Sequence, residues 1–167
     1  MKQRLPQATK LHHKRLAIDL FNGTWNLILK RRRTPEEDET MINMAHASLY
    51  HWSIVGTPRN FAIGEWQVSH TYALAGRAGE SLHHAERSLA ICRRAKLKDW
   101  QLAYAYEALA RAHAVAGRRT EYAQTLRLAE KAGAAIEEKE DREQFAADLS
   151  DLVEGSGPRR LGRKREE

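Results

Sequence analysis

The residues best suited to chemistry lie in two short stretches, Ala45-His46-Ala47-Ser48-Leu49-Tyr50-His51-Trp52 and Glu65-Trp66-Gln67-Val68-Ser69-His70. Imidazoles beside a carboxylate can move protons near neutral pH or hold a divalent metal. Residues four apart on a helix stack on one face, so His46 aligns with Tyr50, Trp66 with His70 and Glu65 with Ser69. His51 is five steps from His46 and is rotated from it by about 140°. If the two stretches are antiparallel neighbours, His46 or His51 approaches Glu65 or His70. The set His46, Tyr50, His51, Glu65 and His70 is then a candidate pocket for a small molecule, a metal or acid–base catalysis. No His-Glu-x-x-His motif is present, so no metal-ligand set is assigned. Packing of the same rings inside helix hairpins is the competing reading.

A second set is aromatic: Trp52, Trp66, Trp100, Tyr104 and Tyr106. Trp100 and Tyr104 are four apart, and Glu107 follows Tyr104 by three, so one helix face carries all three. Core packing is the competing reading of this set, as it is for most large aromatics. The adjacent pairs His12-His13 and His83-His84 diverge by about 100° and are poor chelates by themselves. The single cysteine, Cys92, follows Ile91 in an apolar stretch and reads as a small buried residue. There is no Gly-rich phosphate loop and no serine nucleophile in a recognisable elbow.

The elements that position these residues are helices. Ala is abundant, the four prolines are scarce, and strand-like alternation is absent. Thr34-Pro35-Glu36-Glu37 is a strong helix start, with Thr34 as N-cap, Pro35 in the first turn and Glu37 completing a capping box. Thr57-Pro58 repeats the device. The periodicity predicts helices over about 11–30, 35–55, 58–75, 78–95, 99–116, 119–135 and 140–153, with Asp99 as a cap of the fifth and Lys30-Arg31-Arg32-Arg33 at the end of the first. Gly23 stands in the middle of the first of these. A helical domain is expected over 11–154, flanked by flexible basic ends at 1–10 and 155–167.

One segment occurs twice. Tyr72-Ala-Leu-Ala-Gly76-Arg77 and His113-Ala-Val-Ala-Gly117-Arg118 stand forty-one residues apart, and each leads into a second amphipathic run. A helix hairpin used more than once is the mark of a stacked helical-repeat array. The stretch from Asn60 to Gly133 resembles the tetratricopeptide repeat family. Leu109, Ala110, His113, Gly117, Leu126 and Ala129 fall at that motif's positions, and Val68, Ser69, Tyr72, Gly76, Ala85 and Ser88 fall there in the earlier copy. Tyr122 and Ser81 depart from its usual small Ala, no Pro closes either repeat, and the period exceeds the usual thirty-four. The chain also resembles a group of bacterial proteins of this repeat-like type, which implies a fold and no particular activity. The expected architecture is all-α: about seven helices in stacked antiparallel hairpins.

In such arrays the first helices line a concave surface that receives ligands. The leading expectation is therefore a non-catalytic module that binds a peptide or partner protein in a groove lined by Trp66, Trp100, Tyr104 and Glu107. The second is the small-molecule, metal or enzyme pocket described above. Neither assigns a cofactor, and the first assigns no catalytic residue.

The formal charge of +6 is unevenly spread. Residues 1–33 hold nine Lys/Arg against Asp19 alone, whereas 58–157 hold fourteen bases and fifteen acids. A near-neutral body with basic ends weakens a nucleic-acid reading. No apolar run is long enough for a membrane span. The lone cysteine and the absence of a leader-like stretch lead to an expected cytoplasmic location. Apolar surfaces at the ends of a short array allow a homodimer.

Overall fold

The computed structural model describes residues 6–154. Seven helices run in chain order: α1 (Gln7–Ile28), α2 (Pro35–Val55), α3 (Pro58–Leu74), α4 (Ala78–Ala95), α5 (Asp99–Val115), α6 (Arg119–Ala134) and α7 (Lys139–Val153). They form an all-α stack of three antiparallel hairpins, α1–α2, α3–α4 and α5–α6, closed by α7. The expected flexible ends lie largely outside the described residues, at 1–5 and 155–167. Residues 7–10 do not: nothing in Gln7-Ala8-Thr9-Lys10 breaks a helix, and α1 begins four residues earlier than its apolar pattern.

Local chemistry sets the boundaries. Thr34 and Glu37 form the full capping box, Glu37 N–H donating to Thr34 Oγ1 at 3.3 Å and Thr34 N–H donating to Glu37 Oε2 at 3.0 Å. At α3 the side chain of Asn60 takes the reciprocal part and accepts from Thr57 N–H at 2.9 Å. The two Ala-Gly-Arg copies close α3 and α5 identically. Gly76 (φ +72°) and Gly117 (φ +68°) are left-handed. Arg77 N–H donates to Tyr72 C=O at 2.9 Å, and Arg118 N–H donates to His113 C=O at 3.0 Å. These are the long-range bonds of a Schellman turn, which needs a residue free of a Cβ penalty at the glycine position.

Two further sequence expectations change. The basic run lies in the α1–α2 link rather than in α1, yet Arg33 still reaches back and donates to Leu27 C=O and Lys30 C=O, both at 3.2 Å. Asp99 is the first residue of α5 with φ +61° and makes no cap bond; its Oδ1 accepts from Glu137 N–H at 3.0 Å, which ties the start of α5 to the segment before α7.

Packing within hairpins depends on small residues. Ser88 Oγ donates to Ala62 C=O and Ser48 Oγ donates to Ala17 C=O, each at 2.8 Å, so α4 and α2 sit close to their partners' backbones. Gly23 lies where α1 meets the Met44 side chain of α2. Between hairpins, α3 packs on α5 and α5 on α7, while the backbones of α2, α4 and α6 stay apart from one another. First helices that touch where second helices do not give a stack curved toward its first-helix face. The core runs along this side: Trp66, Trp100, Tyr104, Leu109 and Phe145 join Ala62, Ala103, Ala105 and Ala108 in one cluster.

Candidate functional site

The first-helix face carries a ladder with the repeat's own spacing. Trp25 (α1), Trp66 (α3), Glu107 (α5) and Asp148 (α7) each stand forty-one residues beyond the last, and they succeed one another across the stack. The Trp25 and Trp66 rings are 5.7 Å apart. Trp66 Nε1–H donates to Glu107 Oε2 at 3.0 Å. Arg111, one turn on, clamps Glu107 Oε1 through Nε at 2.8 Å and Nη2 at 2.5 Å. A parallel rung sits beside it. Tyr104 packs on Trp66 at 5.0 Å and edge-on to Phe145 at 4.9 Å, and its hydroxyl donates to Asp148 Oδ2 at 2.5 Å. Gln144 Nε2 donates to the other Asp148 oxygen at 2.9 Å.

This face holds the expected groove residues but buries them. Trp66, Trp100 and Tyr104 are each less than a tenth exposed, and Glu107 is 1% exposed. Trp100 stands edge-on to Tyr104 and takes the guanidinium of Arg59 over its ring at 5.1 Å. Because α3 packs directly on α5, large side chains on their facing sides fill the contact instead of lining an open wall. The half-buried groups on this face are Trp25, Arg111, Gln144 and Asp148.

Asp148 is the electrostatic exception. Burial pushes its carboxyl up to about 6, reinforced by the Glu107 charge, against the pull of the Tyr104 and Gln144 bonds and of Arg111. Among the described residues no cation is paired with it, since Arg111 is committed to Glu107. His70 lies on the same side, 4% exposed, with Trp25 at 5.8 Å and Trp66 at 6.0 Å. Neither of its ring nitrogens has a hydrogen-bond partner. Burial, then the charges of Arg111 and Arg33, hold it well below the usual histidine range, so it is neutral.

The other expected pocket is divided. Glu65 and His70 are five apart on α3 and point to different sides, as the 100° step per residue requires. Tyr50 is 62% exposed, and its neighbour His51 turns toward His13 of α1. His46 and Glu65 do share a site, through a residue the sequence pattern leaves aside. His84 of α4 bridges them: its Nδ1 is 2.6 Å from Glu65 Oε2, and its ring is 5.2 Å from that of His46. Tyr72 stacks on His84 at 5.6 Å and shares a 3.0 Å hydrogen bond with His46 Nε2. Arg87 Nε donates to Glu65 Oε1 at 2.7 Å. Burial raises Glu65, but the bonds from His84 and Arg87 outweigh it and leave the carboxyl below its ordinary value. Burial, then the charge of His84, lowers His46.

This cluster lines the furrow between the α2 and α4 backbones, which do not touch, with α3 as its floor. A carboxylate behind an imidazole fixes the ring's tautomer and orientation, which is how a general base is held. Among the described residues no group of three or more His, Cys, Asp or Glu side chains is placed to hold a metal ion. Cys92 is fully buried and its thiol is pushed up to about 11 by burial, the state of an inert packing residue.

No family model matches the chain, nor does any curated protein or solved structure. No helix among the described residues is long and apolar enough to cross a membrane.

Proposed function

We propose that the chain is a non-catalytic interaction module of the tetratricopeptide-like kind, which binds a peptide or partner segment across its first-helix face. The observation that carries the reading is Asp148: a half-buried carboxylate, held in place by Tyr104 and Gln144, with no paired cation among the described residues. Trp66, Tyr104 and Glu107 are the buried floor that keeps this face rigid, and Trp25, Arg111, Gln144 and Asp148 meet the ligand. A Lys or Arg side chain of a bound segment pairs with Asp148 with its aliphatic stem against the edge of Tyr104, and Trp25 takes an apolar residue further along the segment. The test is selection from a random peptide library displayed on phage. Enrichment of a basic residue in an otherwise apolar segment, lost in the Asp148→Asn variant, supports the reading. Enrichment that ignores this substitution removes Asp148 from the site.

A second reading is favoured by one specific contact, the 2.6 Å approach of His84 to Glu65 beside His46 and Tyr72. It makes the α2–α4 furrow a small-molecule site with an oriented imidazole. Native mass spectrometry of gently purified protein separates the two. A stoichiometric organic adduct that disappears in His84→Gln favours the furrow; a bare chain favours the peptide-binding face.

A further inference from the structure

We propose that His13 and His51 form a two-histidine chelate for a divalent transition-metal ion of tetragonal preference, Cu2+ or Ni2+, which clasps α1 to α2. The antiparallel hairpin brings the residues together. Ser48 Oγ on Ala17 C=O holds the register about one turn away, so His13 and His51 face each other from the two helices of the hairpin. Their Nδ1 atoms are 2.8 Å apart and the rings are inclined at 47° with centroids 5.0 Å apart.

Two features suit this hydrogen-bonded pair to a metal as well. First, the two nitrogens are close enough for one ion to reach both. A metal about 2.0 Å from each of two nitrogens at this separation subtends an angle of about 90°, the cis angle of tetragonal Cu2+ or Ni2+. A tetrahedral Zn2+ site needs a separation of about 3.3 Å and an opening of the pair. Second, the helices already hold both imidazoles in place, so little ordering entropy is lost on binding. Both residues are half-buried, and Tyr50, the next ring along α2, stands 5.5 Å from His51 on the solvent side. Water fills the remaining coordination positions.

The protons balance simply. In the metal-free pair one Nδ1 carries a hydrogen and donates to the other. On binding, that imidazole moves to its Nε2–H tautomer, both Nδ1 lone pairs go to the metal, and a neutral pair releases no net proton.

The test uses the full chain without a histidine tag. Titration calorimetry with NiCl2 and CuCl2, and electron paramagnetic resonance of the Cu2+ form, are read for the parent and for His13→Gln, His51→Gln and His84→Gln. The expected result is one equivalent bound, a copper spectrum with two nitrogen ligands, and a loss of about tenfold or more in affinity in each of the first two variants, since each removes one of two ligands. His84→Gln should bind as the parent does. Unchanged affinity in His13→Gln or His51→Gln overturns the proposal, as does loss in His84→Gln alone. Circular dichroism of each variant separates a lost ligand from a lost fold.

Discussion

Trp66 and Glu107 occupy the same position in successive repeats, and the indole of one donates to the carboxylate of the other at 3.0 Å. The contact joins hairpin to hairpin rather than helix to helix within one. It is anchored a second time by Arg111, whose side chain is 15% exposed against 1% for Glu107. An ion pair this deep gains little over an apolar substitute, but breaking one side of it strands the other. Glu107→Ala leaves the Arg111 guanidinium and the Trp66 N–H without their acceptor, and a loss of about 3 kcal/mol is expected. Glu107→Gln keeps an acceptor for Trp66 and should cost about half as much. Equilibrium urea unfolding of the two variants measures this; equal losses would show that the retained amide acceptor contributes nothing and that the charge of Glu107 carries the whole effect.

The repeat itself was open to reading because its punctuation is local. Ala-Gly-Arg marks a left-handed helix end by the steric freedom of glycine alone, and both copies adopt it. At the end of α4 a lysine stands in for glycine. Lys96 has φ 55°, and Leu97 N–H donates to Cys92 C=O at 2.8 Å. Gly76→Ala and Gly117→Ala should each destabilise by about 1 kcal/mol, although a Cβ at either position meets no neighbouring atom. Lys96→Gly should stabilise by up to about 1 kcal/mol, because it removes strain of the same kind. Thermal melts of the three variants check the signs, and a destabilised Lys96→Gly would point to a contact of the lysine side chain instead.

The ladder was only half visible. Trp66 and Glu107 belong to the duplicated hairpin, but Trp25 and Asp148 hold the same spacing in α1 and α7, where neighbouring residues do not match the repeat. Asp148 in particular looks like one more solvated acid among Glu140, Asp141, Glu143 and Asp151 until α7 is docked against Tyr104. His84 was hidden for a related reason. Its companion His83 is exposed, and an adjacent pair on a helix has no chemistry of its own; only the α3–α4 register puts Glu65 beside it. The aromatics left groove and core packing both open. Their shared face was legible from four-residue spacing, but spacing does not say whether a face meets solvent or another helix.

Gly133 has no such turn to make. It sits inside α6, buried, and a Cβ there would run into the Phe145 ring of α7. That ring also packs on Tyr104, so it has no free space to yield. Gly133→Ala gains helix propensity of about 1 kcal/mol and should still lose about 1–3 kcal/mol overall through overpacking. Gly79→Ala on α4, where a Cβ meets nothing, is the control and should be stabilising. If both substitutions stabilise, α7 is not held against α6 by this contact.

Acid should act on the first-helix face through two groups of opposite sign. His70 is lowered in the folded state, so it contributes stability above its unfolded value of 6.5, and that contribution is lost as pH falls toward its folded value. Asp148 is raised to about 6 from 3.8, so its contribution is complete below 3.8 and lost as pH rises through 6. Between about pH 4 and 6.5 the two slopes oppose each other and partly cancel. Removing either should unmask the other. Asp148→Asn should be more stable than the parent at neutral pH and fall more steeply on acidification through this window. His70→Phe should flatten the acid limb or invert it, and Trp25 and Trp66 beside it should accept the larger ring at a modest packing cost. Unfolding midpoints of parent and variants at a series of pH values read both slopes, and an Asp148→Asn curve parallel to the parent's would remove Asp148 from the pH response.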